Sequence, residues 1–198
     1  AEPVFIDCDE HLNLSVEGLQ QFLETRCEKR DQWYLKGKQR IAALMAVDIL
    51  GHPADWVRMK ELVGDTLPIV EDAAEAFGSW KKVGDQWQAC GTLGDISCFS
   101  FNGNKIITAG GGGMILSKNQ EWIDRARYLA NQAKDDSLYF IHGDAGFNFR
   151  LSKAFAKIFN NFLSKTPTTC LSTNAGLLNG PIILNIVLFP IFFLVGPT

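Results

Sequence analysis

The stretch between residues 96 and 116 constrains the fold of this chain more than any other. An apolar run containing Ile96, Phe99 and Phe101 leads into a turn with one lysine, Lys105, and glycines occupy positions 110–113 before the next apolar run. Because glycine adopts backbone angles that other residues avoid and lets the backbone approach a ligand closely, this pattern predicts two strands joined by a ligand-accessible loop. Lys105 is then either a solvated loop lysine or an amine held against a cofactor.

An acidic strand end precedes this stretch. Residues 68–71 predict a short buried strand, Asp72 follows it, and Glu75 lies three positions further along. In open α/β sheets, ligands bind beyond the carboxyl ends of the strands, although a single carboxylate there can equally cap a helix. The order of a strand-end Asp, a strand-end Ser100 five residues before Lys105, and a glycine run favours a functional site.

Strand and helix patterns alternate along the chain. Strands are predicted at 3–7, 41–47, 68–71, 86–90, 95–101 and 114–116, and helices after Ser15, around 56–63 and at 119–132. This alternation predicts an α/β fold with a mostly parallel sheet and flanking helices. Ser15 is the predicted N-cap of the first helix, and the apolar residues at helical spacing, among them Val16, Leu19 and Phe22, are assigned to the core.

Composition narrows the function classes. The net charge is −3 with no basic block, so nucleic acid is not an expected partner. The five cysteines contain no C-x-x-C pair and the three histidines are scattered, so no metal site is predicted. No signal-peptide pattern opens the chain, and unpaired cysteines fit a reducing compartment; we therefore expect a cytoplasmic protein.

Four segments together resemble a known family. Residues 70–78 and 94–108, followed by the glycine run, are similar to the DegT/DnrJ/EryC1/StrS sugar aminotransferases. Residues 132–136 and 146–151 are most similar to the branch that acts on UDP-linked 4-keto-6-deoxy-N-acetylhexosamines. The resemblance implies an aspartate-aminotransferase-like large domain that binds pyridoxal 5′-phosphate (PLP). It also implies a reaction, the transamination of a nucleotide-linked 4-keto-6-deoxy sugar to the 4-amino sugar with glutamate as amino donor.

The resemblance also assigns roles to the strand-end residues. Lys105 matches the lysine that bonds covalently to PLP and moves the proton, and Asp72 matches the carboxylate facing the pyridine nitrogen. Ser100 matches a phosphate contact. Glu75 stands where many relatives have a glutamine that contacts the phenolic oxygen of the ring. Related dehydratases carry histidine in place of the lysine, so Lys105 favours transamination.

Two further residues match an Asn-aromatic-Arg motif of the family. Asn148 is implied to reach the phosphate bound by a neighbouring subunit, so the full-length enzyme is expected to be a homodimer. Arg150 is either a partner for anionic groups of the substrate, because guanidinium pairs with phosphate in a fork geometry, or a surface arginine.

The resemblance covers residues 3–152, which predicts an incomplete PLP-binding large domain at 1–152 and a divergent hydrophobic tail at 153–198. The apolar run at 181–195 is shorter than the ~20 residues of a membrane span and contains Asn185 and Pro190, so a membrane partner is not favoured. An altered reading frame or aberrant terminus is the preferred interpretation. The chain looks truncated at both ends, and the alternative function is that of a non-catalytic remnant of such an enzyme.

Overall fold

The computed structural model describes residues 2–37, 39–136 and 138–149. The chain divides into two compact units, and the described residues of the first run to 97 and those of the second from 98. The predicted hydrophobic tail at 153–198 lies outside the described residues, so the division at 152 stays a prediction. Within the described ranges, no helix combines the length and the apolar character needed to cross a bilayer.

The first unit alternates helices and strands. Its elements are α1 (Val16–Arg26), β1 (Cys27–Lys29), β2 (Trp33–Leu35), β3 (Leu44–Val47), α2 (Trp56–Val63), β4 (Ile69–Asp72), β5 (Trp80–Val83) and β6 (Gln86–Ala89). Strand β7 (Ile96–Ser100) begins in this unit and ends in the second. The second unit continues with β8 (Gly113–Ser117), α3 (Gln120–Ala130), β9 (Lys134–Asp136) and β10 (Ile141–His142).

The central strands form the predicted α/β sheet. Strands β3 and β4 pair in parallel, with Leu44 opposite Ile69 and Val47 opposite Asp72, and α2 makes the crossover between them. The start of β7 lies beside β4, because the backbone N–H of Asp95 donates to the Ile69 carbonyl at 2.9 Å. Further along, β7 has β8 as its neighbour. The predicted α/β class is confirmed, and β4 ends at the position expected for a ligand site.

Helix α1 shows how local sequence fixes an element. The Ser15 hydroxyl accepts a hydrogen bond from the Gly18 N–H at 3.0 Å, as predicted for an N-cap. The buried face consists of Val16, Leu19 and Leu23, whereas the predicted core position Phe22 is only half-buried. The helical spacing therefore identified the buried face to within one residue.

The predicted strand at residues 3–7 is wrong. These residues form no strand, and Phe5 is 81% exposed. Nearby, only an isolated bridge joins Cys8 to Leu14, so among the described residues this segment has no strand to pair with. The antiparallel pairs β1–β2, β5–β6 and β9–β10 were not predicted as hairpins.

Candidate functional site

Asp72 lies at the end of β4, as the sequence predicts. The residue is 7% exposed, and its carboxylate Oδ1 accepts a hydrogen bond from the Ala74 N–H at 3.0 Å. Its main-chain carbonyl accepts from the Asp48 N–H at 3.0 Å, which ties the end of β4 to the residue that follows β3. Both the side chain and the backbone of Asp72 are therefore held in place at the carboxyl edge of the sheet.

Glu75 belongs to the same unit and supports a neighbouring turn. Its Oε2 atom accepts a hydrogen bond from the Leu50 N–H at 2.9 Å. Leu50 has φ 52°, a left-handed conformation that a side chain makes costly, and Gly51 follows with φ 80°. In the structure, Glu75 therefore stabilises this turn. The predicted contact of Glu75 with a cofactor ring stays a prediction.

Lys105 sits in a compact turn after β7. The Lys105 N–H donates to the Asn102 carbonyl at 3.1 Å, and the Asn102 N–H donates to the hydroxyl of Ser100 at 3.3 Å. Ser100 and Lys105 are both half-buried. The predicted pair of a hydroxyl and an amine therefore lies in one turn of the second unit, joined through the backbone of Asn102.

The glycine run makes this turn possible. Gly110 has φ 77° and Gly112 has φ 92°, conformations that residues with a side chain rarely adopt. The Gly112 carbonyl accepts from the Phe101 N–H at 2.8 Å, and the Phe101 carbonyl accepts from the Thr108 hydroxyl at 3.2 Å. Residues on the C-terminal side of Lys105 therefore close the loop back onto Phe101, the residue that follows β7.

Asn148 is exposed in the second unit. It forms a bridge with Asn131, which caps the end of α3, and the adjacent rings of Phe147 and Phe149 stack at a centroid distance of 4.8 Å. The end of α3 thus fixes the backbone on which Asn148 lies. Arg150 lies outside the described residues, so its predicted contact with the substrate stays a prediction.

The predicted site residues fall into two groups. Asp72 and Glu75 belong to the first unit, and Ser100, Lys105 and Asn148 to the second. Asp72 and Ser100 end their strands, and Glu75 and Lys105 lie in the segments that follow, which is where loops carry binding residues on a rigid scaffold. Asn148 lies further from an element, in the segment beyond β10.

Glu71, to which the sequence assigned no role, is a buried carboxylate held by three backbone N–H groups. Its side chain is fully buried and accepts from the backbone N–H groups of Leu93 and Gly94 at 2.8 Å each, and also from that of Gly91. Burial, with the nearby charge of Asp48, raises the pKa of Glu71 to about 7. A glutamate in an otherwise buried parallel strand was the signal for this contact.

Asp48 and Cys90 lie beside Glu71. One ligand-capable atom from each of the three lies within 4.8 Å of the others, and all three residues are buried. Asp48 Oδ1 accepts from the Ala54 N–H at 3.0 Å and from the Trp56 indole N–H at 2.8 Å. Burial raises the pKa of the Cys90 thiol well above its usual range. We call Asp48, Glu71 and Cys90 the buried acidic cluster.

Solved structures define the class of protein to which this fold belongs. The chain superposes on a DegT DnrJ EryC1 StrS aminotransferase from Brucella abortus with a TM-score of 0.66 and 27% identity, covering 83% of this chain and 42% of that one. The aminotransferase TlmJ from Streptoalloteichus hindustanus gives a TM-score of 0.65 and 30% identity, covering 83% and 40%. The fold is therefore that of the aminotransferases in this class.

Sequence comparison identifies the family. The model of the DegT/DnrJ/EryC1/StrS aminotransferase family matches residues 1–172, so this chain belongs to that family. EpsN of Bacillus subtilis, provisionally named a pyridoxal phosphate-dependent aminotransferase, is 40% identical over 163 residues, covering 80% of this chain and 38% of EpsN. GDP-perosamine synthase of Escherichia coli O157:H7 is 34% identical over 160 residues, covering 80% and 39%. The chain thus spans about two fifths of the length of these relatives.

Proposed function

We propose that this protein is a PLP-dependent aminotransferase that converts a nucleotide-linked 4-keto-6-deoxy sugar to the 4-amino sugar. The observation that carries the proposal is the combination, in a member of this family, of a buried strand-end carboxylate, Asp72, with a lysine, Lys105, in the glycine-closed turn after β7. A 28% identical relative from Campylobacter jejuni is named a UDP-4-amino-4,6-dideoxy-N-acetyl-beta-L-altrosamine transaminase, which supports this class of substrate.

The available side chains fit PLP. A PLP enzyme needs an amine, a carboxylate and groups that hold a phosphate, and Lys105, Asp72 and Ser100 supply these three chemistries. When bound, the cofactor supplies an electron sink for a carbanion. Asp72 is only 7% exposed, and its negative charge would favour a protonated pyridine nitrogen beside it. Lys105 would hold and move the proton, and Ser100 would donate a hydrogen bond to the phosphate.

The remaining roles extend the proposal beyond one chain. Exposed Asn148 would reach the phosphate bound by a second copy in a homodimer, Arg150 would pair with anionic groups of the nucleotide sugar, and Glu75 would contact the cofactor ring. Glutamate is the proposed amino donor.

We propose the cytoplasm as the compartment of this protein. Buried free thiols such as those of Cys27 and Cys90 are stable where disulfides do not form.

Isotope transfer tests the proposed reaction. The protein is incubated with PLP, ¹⁵N-glutamate and a UDP-linked 4-keto-6-deoxy-N-acetylhexosamine, and the sugar product is analysed by mass spectrometry. We expect ¹⁵N at C4 and no transfer by Lys105→Ala. Lys118→Ala is the matched control, because Lys118 is an exposed lysine after β8, and it should transfer nitrogen normally. Equal transfer by Lys105→Ala would refute the proposal.

A second arm tests the nucleotide. The GDP-linked 4-keto-6-deoxy sugar replaces the UDP-linked one under the same conditions. We expect faster amination of the UDP-linked sugar, and a preference for the GDP-linked sugar would overturn the assignment to the UDP branch.

A further inference from the structure

The buried acidic cluster places two carboxylates close together, and its hydrogen bonds do not fully compensate their charges. Asp48 and Glu71 are both fully buried, and Asp48 Oδ2 is a buried oxygen for which the described residues provide no hydrogen-bond partner. Two ionised carboxylates so close together in a poorly hydrated interior repel each other and lack solvation. Something must therefore neutralise one of the two charges, and the candidates are a bound cation and a proton.

The existing hydrogen bonds favour a proton over a metal ion. Both oxygens of Glu71 already accept backbone N–H groups, which point positive charge at the atoms that a cation would have to approach. The Cys90 thiol, whose pKa is raised by burial, would also have to lose its proton to become a ligand. A single proton on Glu71 needs neither change, and it gives the buried Oδ2 of Asp48 a donor to accept from.

We propose that Asp48 and Glu71 hold one proton between them at neutral pH and act together as positioning residues for the end of β4, which carries Asp72. Glu71 fixes the 91–94 turn to β4 through three N–H groups, and the Asp48 N–H binds the Asp72 carbonyl. The two acids thus hold β4 immediately before and at Asp72. The importance of Asp72 rests on the proposed function, whereas the shared proton does not.

The shared proton makes stability depend on pH in a defined direction. The pKa of Glu71 is about 7 in the fold against an ordinary value of 4.5, so the folded chain binds more protons than the unfolded chain between these values. This stabilisation is complete below pH 4.5 and is lost as the pH rises through 7. The corresponding rise in the unfolding equilibrium constant is on the order of 100-fold.

Other titratable groups pack around the pair. They are Cys90 within the cluster, Lys81 on β5, which acts on Cys90, and Asp72 on β4, whose carbonyl accepts from the Asp48 N–H, while the charged residues of α2 are exposed. Lys81 opposes the rise in the pKa of Cys90. Since these groups stay unchanged in variants of Asp48 and Glu71, differences between such variants report on the pair itself.

Pulse proteolysis in urea measures this effect on the 198-residue chain at low concentration and without cofactor. We compare wild type, Asp48→Asn, Glu71→Gln and the control Asp85→Asn, which makes the same change at an exposed turn residue, at pH 5 and pH 8. In Asp48→Asn, the amide oxygen can accept the two hydrogen bonds that Oδ1 accepts, and the NH2 group takes the place of Oδ2 and donates toward Glu71, so the pair no longer needs a proton. We therefore expect Asp48→Asn to be stable. From pH 5 to pH 8, the fold-increase in its unfolding equilibrium constant should be smaller than that of wild type by a factor of at least about ten.

Glu71→Gln should behave differently. Either orientation of its amide turns an NH2 group toward a backbone N–H, so this variant should be less stable than Asp48→Asn already at pH 5. Asp85→Asn should keep the wild-type pH dependence. A full wild-type pH dependence in Asp48→Asn, or Glu71→Gln as stable as Asp48→Asn at pH 5, would overturn the shared proton.

Two additional readouts separate positioning and metal binding. Hydrogen exchange, corrected for intrinsic rates, reports on the positioning of residues 69–76. In wild type, the backbone amides of these residues should be less protected at pH 8 than at pH 5, and the loss of protection should be smaller in Asp48→Asn. Unchanged protection in wild type would overturn the positioning role. Added Zn²⁺ should leave the urea midpoint where EDTA leaves it. A Zn²⁺-dependent rise that Cys90→Ala abolishes would show a metal site instead. Because no readout uses PLP or substrate, failure here is distinct from failure of the proposed reaction.

Discussion

Replacing Gly94 with alanine tests how tightly the 91–94 turn packs against β4. A Cβ atom at Gly94 would lie 2.8 Å from the Cβ of Glu71, 3.0 Å from the Glu71 nitrogen and 3.0 Å from the Ile69 carbonyl oxygen. Two of these three atoms are backbone and cannot rotate away. The turn must therefore move off the strand, which lengthens the hydrogen bond from the Gly94 N–H to Glu71 Oε2, now 2.8 Å.

The expected loss of stability combines two contributions. Forcing an extra methyl group into a packed region costs about 1–3 kcal/mol, and weakening a hydrogen bond to a buried carboxylate adds about 1 kcal/mol. We therefore expect Gly94→Ala to lower the free energy of unfolding by about 3 kcal/mol. With a urea slope of about 2 kcal/mol per M, the unfolding midpoint should fall by about 1.5 M.

Gly103→Ala is the matched control for this prediction. Gly103 has no heavy atom within 4 Å of the position a Cβ would take, so the same substitution should change stability by less than about 1 kcal/mol. Urea unfolding of both variants and wild type at one pH provides the comparison. If Gly94→Ala unfolded within about 0.5 kcal/mol of wild type, the close contact between the turn and β4 would be wrong.

Two other substitutions test the site and the helix cap. Asp72→Asn keeps an oxygen that can accept the Ala74 N–H, so its urea midpoint should stay close to that of wild type. The rate of ¹⁵N transfer from glutamate should fall at least about 100-fold. Near-normal transfer would show that Asp72 takes no part in the reaction. Ser15→Ala deletes the acceptor for the Gly18 N–H and should cost about 1 kcal/mol in urea unfolding, and a value near zero would mean that α1 does not depend on this cap.

Hydrophobic periodicity predicted the elements that pack on the core. The helix after Ser15 and the strand ending at Asp72 were expected within about a residue of where they lie, because each buries apolar residues at regular spacing. The segment at 3–7 has a strand-like composition but lacks a partner, and a single sequence does not reveal which strand a segment pairs with. The hairpins were not predicted either, because their residues are mostly exposed or half-buried and so show no clear hydrophobic pattern.

The candidate site was predictable where its residues lie next to strand ends or glycine runs, which can be recognised in the sequence. Asp72 ends a buried strand, and Lys105 lies between β7 and a glycine run, so sequence order alone located both. A glutamate in a buried strand is a signal that Glu71 has partners, but the sequence could not show which ones, because they are backbone N–H groups of residues 91, 93 and 94. Asp48 was hidden because its proximity to Glu71 arises only when β3 pairs with β4.

The most direct test of the proposed PLP chemistry is the attachment point of the cofactor. The protein is loaded with PLP, reduced with borohydride, digested, and the pyridoxyl group is located by mass spectrometry, with Lys105→Ala as the control. We expect modification at Lys105, in the turn after β7, and none in the variant. Modification of exposed Lys118 or of Lys134 with Lys105 untouched would contradict it.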